Sequence, residues 1–277
     1  MGIDSISPRA ARRIILEQSK RANVGHIGSC LSVVDILCAL YGAVIRVSSP
    51  EDRERDRFVL SKGHAALALY AVLALKGWVS EEQLDTFCGD DSYLGVHPEA
   101  ALRGVDFASG SLGQGPCMAA GAALAASMQG SSRRVFCLLS DAECNEGSVW
   151  EAAMFAAHHQ LHNLALIVDW NGQQALGLTC DVLNCDNLPE RWTAFGWRTS
   201  VVDGHSLPEL TAALAETGDP RPHVILARTC FGKGVSYMEQ GVPITQTHLS
   251  VHRINWHYLP MSQLEFDLAL KELGDAR

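Results

Sequence analysis

The sequence predicts an α/β fold: a mostly parallel sheet with helices on both faces. Three features carry this expectation. Helix-like and strand-like segments alternate along the 277 residues. The strand candidates are short, near-continuous apolar runs, as a sheet covered on both faces requires. Between them recur Ser residues followed three positions later by Glu or Gln, the signature of a capped helix start. With 47% hydrophobic residues the chain can bury one large core, so a single domain spanning 1–277 is expected, with a C-terminal loop and arm from about residue 232.

The first helix carries Arg9, Arg12, Arg13, Lys20 and Arg21, a run read as its solvated face. Helical patterns follow at Val33 to Val44, Ala65 to Lys76 and Pro116 to Met128, the last so rich in Ala and Gly that it must pack closely. Capping boxes are expected at Ser80/Gln83, Ser148/Glu151, Ser206/Glu209 and Ser262/Glu265, the last opening an amphipathic helix that ends near Leu273. The clearest strands are Arg133 to Asp141 and Leu164 to Trp170, with further candidates at Trp197 to Asp203 and Val224 to Thr229. From Gly232 to Asn255 glycines, Pro243 and scattered histidines suggest an ordered loop or a partly mobile arm.

A formal charge of −9 with scattered basic residues argues against a nucleic-acid partner. No run of eighteen apolar residues and no secretory signal pattern is visible, so a cytoplasmic protein without a membrane partner is expected. The nine cysteines contain no C-x-x-C pair and read mostly as small buried hydrophobes; Cys180 and Cys185 make a weak metal signal.

The segment Leu138 to Gly172 reads strand, loop, helix, strand, loop. Two strands joined by a right-handed crossover lie near each other and point the same way, so Asp141 and Asn171 emerge together at their carboxyl ends, where open α/β sheets bind ligands. A carboxylate, an amide oxygen and a nearby backbone carbonyl are hard donors suited to magnesium. The turn from Ala142 to Gly147 brings N–H groups close by, which favour an anion. Together they describe a diphosphate held through a divalent ion. Local spacing leaves a second reading open, in which Asp141 caps a helix and Asn171-Gly172 is an ordinary turn.

Several motifs, in order along nearly the whole chain, resemble the transketolase family. They are Gly25-His26-Ile27-Gly28, the stretch Asp56 to His64 (DRFVLSKGH), Val96-His97-Pro98-Glu99, and Gly110-Ser111-Leu112-Gly113-Gln114-Gly115. The family's GDG, followed about thirty residues later by N, corresponds to Ser140-Asp141-Ala142 and Asn171. Both glycines are replaced, which puts cofactor affinity in question because Ala142 adopts positive φ less freely than Gly.

The resemblance implies a thiamine-diphosphate-binding fold with thiamine diphosphate and Mg2+ (or Ca2+ or Mn2+) as cofactors. Asp141, Asn171 and the Gln173 carbonyl would ligate the metal. Gly110, Ser111, Leu112, Ala142 and Glu143 would line the cofactor, with His64 near its diphosphate. His26, His97 and His248 would face the thiazolium and the sugar hydroxyls, and Glu146 would lie at a subunit interface. For His248 the match is incomplete: Gly232 to Glu239 (GKGVSYME) corresponds to a segment that in related small subunits leads to Trp-His-Gly, and no such tripeptide follows here. His158, His159 and His162 read as decoration of a helix face or its end.

The family's pyrimidine-binding domain would come from a second chain, so the expected form is the N-terminal subunit of a split transketolase in an α2β2 heterotetramer. It would transfer a two-carbon ketol unit between sugar or sugar-like substrates, with a specialised pathway a reasonable hypothesis. Two other readings stay open: a different thiamine-diphosphate lyase or acyltransferase subunit, against which the LSxGH and GHPE segments speak, and a scaffold that kept the fold and lost the cofactor.

Overall fold

The computed structural model describes residues 6–239 and 255–274. Its centre is a sheet of five parallel strands, β1 (Arg57–Leu60), β2 (Val135–Ser140), β3 (Leu164–Trp170), β6 (Arg198–Asp203) and β7 (His223–Arg228), in the order β1-β2-β3-β7-β6. Two further short strands, β4 (Gln173–Gln174) and β5 (Gly177–Leu178), pair antiparallel just after β3. The four strands expected from the sequence are present, Leu164–Trp170 with the expected ends and the other three with ends moved by at most two residues. The fifth, β1, lies inside the DRFVLSKGH motif and is too short, with too polar a start, to stand out as an apolar run.

Alternation along the strands divides the interior. Phe136, Leu138, Ile167 and Ile225 enter one cluster with the helix Pro8–Ala22 and the segment from Ile27 to Val44. Val135, Cys137, Leu139, Leu166, Val168 and Leu226 enter a second cluster with the helices Gly115–Met128 and Gly147–His158 and the side chains of Trp192 and Trp197. Both sheet faces are therefore covered, which is why the strands read as continuous apolar runs. Among the described residues no helix is long and apolar enough to cross a membrane.

Several local expectations are corrected. Arg12 does not belong to a solvated face. It is buried, donates to both carboxylate oxygens of Asp35 (3.2 and 2.5 Å), and its Nε reaches the Lys233 carbonyl at 2.9 Å. The pattern at Val33 to Val44 is not one helix: an α-helical Val34–Ala39 passes into a π-turn over Leu40–Val44. Ser80 and Ser262 form their capping boxes, while Ser206 accepts from the Glu209 N–H and the Glu209 carboxylate turns to the Asp203 N–H instead. Ser148 caps nothing; it lies inside a helix whose N-cap is Glu146, and its hydroxyl donates to the Gly113 carbonyl at 2.9 Å. Of the nine cysteines, five are buried, whereas Cys88, Cys117 and Cys180 are exposed and Cys230 is half-buried.

Burial pushes the Asp35 carboxyl up, but hydrogen bonds from His205 and Arg12 outweigh it and hold the group below its usual range. Arg12→Ala should therefore lower stability by about 3 kcal/mol, as expected when one partner of a buried pair is removed. Urea unfolding should show a lower midpoint at unchanged slope.

His223, at the start of β7, is buried and accepts from Arg198 at Nδ1 (2.6 Å), so its Nε2–H is left to donate to Ser200 (2.9 Å). Burial, and then the Arg198 charge, push it down to about 4. The folded state thus keeps this ring neutral while the unfolded chain binds a proton near pH 6.5. Its contribution is present above that pH and is lost as pH falls towards 4. Unfolding free energy should decline over this window, and His223→Gln should flatten the decline.

Candidate functional site

The site is built where β2 and β3 end. Ser140 pairs with Asp169 in the ladder, so Asp141 and Asn171 leave the sheet from adjacent strands on the same edge. The loops are tied together through one carboxylate. Asp141 Oδ2 accepts from the Gly172 N–H at 2.8 Å and from the Thr179 hydroxyl at 3.2 Å, and Oδ1 accepts from the Ala142 N–H at 2.8 Å. Asp141 does cap a helix, the short 3-10 turn Ala142–Asn145; capping and a place in the site coexist. Ala142 lies in that right-handed turn and is not among the residues of positive φ, so the conformation needs no glycine there.

Burial, and then the negative charge of Asp169, push the Asp141 carboxyl up to about 7. A fully buried carboxylate in that state is short of a counter-cation, because the buried ammonium nearby, Lys62, pairs with Asp169. Asn171 donates from Nδ2 to Asp169 Oδ2 at 2.9 Å, and its Oδ1 accepts from the Gln173 N–H at 2.9 Å. Among the described residues no group of three or more His, Cys, Asp or Glu could hold a metal ion. The donors on offer are one carboxylate with amide and carbonyl oxygens, a set that fits a hard cation taking few protein ligands and not a metal that selects imidazole or thiolate.

Above this edge opens a cleft of about 300 Å³ whose wall includes His26, His64, His97, Asn171 and Gln173. His26, in the left-handed region at φ 61°, starts the helix Ile27–Ser32, and its ring centroid lies 5.4 Å from that of His64. Burial pushes His64 well down, helped by the Lys62 charge, and burial with the nearby His97 lowers His26. Gly110, Leu112 and Ala142 also line the cleft, while Ser111 beside them is exposed. Glu143 is different: its carboxylate is fully buried, accepting from the Ser61 hydroxyl and from the N–H groups of Gly113 (2.8 Å) and Ser140 (2.9 Å). It braces the two loops from behind and does not face the cleft. Glu146 is exposed at the mouth of the helix Gly147–His158, and His158, His159 and His162 lie exposed at the far end.

His248 lies outside the described residues. Among the described residues of this part of the chain, the histidine in the cleft is His257, with Tyr258 beside it. His257 packs on Phe231 with ring centroids 4.4 Å apart, and burial, then Lys62, push it down to about 3. Trp256-His257 has the Trp-His of the tripeptide looked for after Glu239, with Tyr258 in the place of Gly. The pair is legible, but its distance from Glu239 and the changed third residue hide it. Lys62 is a further cleft residue that sequence reasoning does not find, because a lysine in an exposed-looking motif does not announce that it is buried.

The family profile described as "Transketolase, thiamine diphosphate binding domain" matches residues 3–267. The chain belongs to this family. It is 35% identical to one of the apulose-4-phosphate transketolase subunits of Phocaeicola vulgatus, over 95% of this chain and 91% of that one. It is 40% identical to the 6-deoxy-6-sulfo-D-fructose transketolase subunit SqwG of Clostridium sp., over 82% of this chain and 85% of that one. Among solved structures, transketolase from Campylobacter jejuni superposes with a TM-score of 0.86 at 30% identity, covering 99% of this chain. The chain spans 43% of that transketolase, and its length is instead that of the proteins named as subunits. Thiamine diphosphate is the cofactor this domain is built to bind, and the parallel sheet is the family's fold.

The glycine-rich loop leaves little room. Gly113 has φ +84°, and a Cβ there would lie 2.6 Å from Glu146 Cβ. Gly113→Ala should cost about 1–3 kcal/mol of stability and weaken thiamine-diphosphate binding, measured by thermal melting with and without cofactor. An unchanged melting temperature would show that the loop is not confined in this way.

Proposed function

We propose that this protein is the N-terminal subunit of a two-chain transketolase, transferring a two-carbon ketol unit from a ketose to an aldehyde with Mg2+ and thiamine diphosphate. The observation that carries the reading is the union of Asp141 and the Asn171 loop at the carboxyl edge of the sheet, directly beneath a cleft walled by histidines. Asp141, Asn171 and the Gln173 carbonyl would hold the cation. Gly110, Ser111, Leu112 and Ala142 would line the cofactor, with His64 near its diphosphate. Bound thiamine diphosphate supplies a carbanion that the protein itself cannot generate.

The remaining work falls to this chain's own side chains. His26, His97 and His257 would orient the sugar hydroxyls and pass protons. The depressed values of His26 and His257 favour rings that are neutral at pH 7 and able to accept a proton. Glu146, exposed beside the Gly113 loop, would meet a neighbouring protomer. Leu176, Leu112 and Tyr258, exposed around the cleft, support a partner that covers this rim, and we assign that role to a chain carrying the pyrimidine-binding domain in an α2β2 assembly. The setting is cytoplasmic, and one domain with an arm from about residue 232 is the unit that docks. The altered Ser140 and Ala142 do not favour a scaffold, since Ala142 adopts an ordinary turn conformation.

The test is the complex co-purified with its partner, supplied with Mg2+, thiamine diphosphate, a ketose donor and an aldehyde. Ketol transfer is expected, with Asn171→Ala lowering kcat/KM by more than about tenfold. Consumption of pyruvate in place of the ketose would assign another thiamine-dependent reaction, and absence of calorimetric cofactor binding would reduce the protein to a scaffold.

A further inference from the structure

We propose that Asp169 is a positioning residue that fixes which end of the Asn171 amide faces the cleft. The proposal rests on the reading of Asn171 as a cation ligand. Asp169, next to the last residue of β3, is completely buried. Its Oδ1 accepts from the hydroxyls of Ser32 (2.6 Å) and Thr229, and its Oδ2 accepts from the Lys62 ammonium and from Asn171 Nδ2 (2.9 Å). Two donors on each oxygen use the whole accepting capacity of a carboxylate, so Asp169 has no lone pair left for a cation. Stability alone does not account for the cluster, because a buried ion pair gains little over apolar residues of the same volume.

Its effect is on the neighbour two residues on. A carboxylate paired with Lys62 only accepts, so the Asn171 side chain must turn its NH2 towards it. Ser32 reinforces this choice: its hydroxyl proton goes to Asp169, and its oxygen faces Asn171 Nδ2 at 3.3 Å. The amide oxygen is thereby directed the other way, where it accepts one N–H, from Gln173 at 2.9 Å, and keeps a second lone pair on the cleft side. A flipped amide would set oxygen against carboxylate and offer NH2 to the cation. Asp169→Asn removes the bias: it takes away the counter-charge that keeps the buried Lys62 an ammonium, and with a neutral amine able to accept on that side the new NH2 can face a flipped Asn171 and donate to it.

The experiment measures by calorimetry the Mg2+ concentration for half-maximal thiamine-diphosphate binding in the complex co-purified with its partner, with cofactor-free melting temperatures alongside. Asp169→Asn should raise that concentration about tenfold or more, as for other residues that orient a metal ligand. Thr229→Val also removes a bond to Asp169 but leaves an acceptor facing Asn171, and it should stay within about twofold of wild type. The exchange Asp169→Asn/Asn171→Asp should recover most of the loss, because a carboxylate at 171 presents oxygen in either orientation. A purely structural role for Asp169 predicts no such recovery. If Asp169→Asn fails to fold with Lys62 unpaired, the comparison becomes Lys62→Met against Lys62→Met/Asp169→Asn, with the same drop expected. Wild-type affinity in Asn171→Ala would sink the ligand assignment itself. Weakened binding in Asn171→Ala with unchanged binding in Asp169→Asn would overturn the proposal and leave the ligand assignment standing.

Discussion

The parallel pairing of β2 with β3 is the constraint on which the rest depends. Ser140 against Asp169 is the last rung before both chains turn away. Because side chains alternate along a strand, a slip of one residue would send Asp169 to the opposite face and part it from Lys62, Ser32 and Thr229. The same slip would separate Asp141 from the Gly172 N–H. The apolar faces of β2 and β3 fill different clusters on the two sides of the sheet, and this burial holds the register.

Charge in the site follows from that geometry. Lys62 neutralises Asp169 within the floor, while burial raises the carboxyls of Asp141 and of Glu143, the latter turned away from the cleft. Above Asp141, His26, His64 and His257 are lowered, the last two strongly, so these three rings are neutral at pH 7. Glu143, buried and fully hydrogen-bonded, ties the Gly113 loop to the end of β2. The glycine-rich loop and the Asp141 loop are therefore tied to each other through that carboxylate.

Much of this is legible in the sequence because the physics behind it is local. Near-continuous apolar runs mark the strands, and the order of strand, helix and strand between Leu138 and Gly172 brings Asp141 beside Asn171. What stays hidden depends on the rest of the fold. Arg12 is charged and sits in a basic run, yet Asp35 lies across from it in space, and nothing local marks that pairing. Lys62 and Asp169 are far apart in sequence and meet only once β1 and β3 are both in the sheet. Ser148 has the spacing of a capping box, but the helix starts one residue earlier and its hydroxyl serves Gly113. His257 escapes the motif because more residues separate it from Glu239 than the motif allows, and Tyr258 breaks the tripeptide.

Membership of the transketolase family sets the chemistry this fold serves, and the similarity to chains named as subunits sets the scale on which it works. The local claim underneath is that one cation links Asp141 and Asn171. Anomalous diffraction from crystals of the complex with Mn2+ and thiamine diphosphate tests it most directly. The account predicts a single manganese peak within about 2.0–2.3 Å of an Asp141 carboxylate oxygen and the Asn171 amide oxygen. Manganese bound elsewhere with the cofactor in place, or coordinated by neither residue, would contradict it.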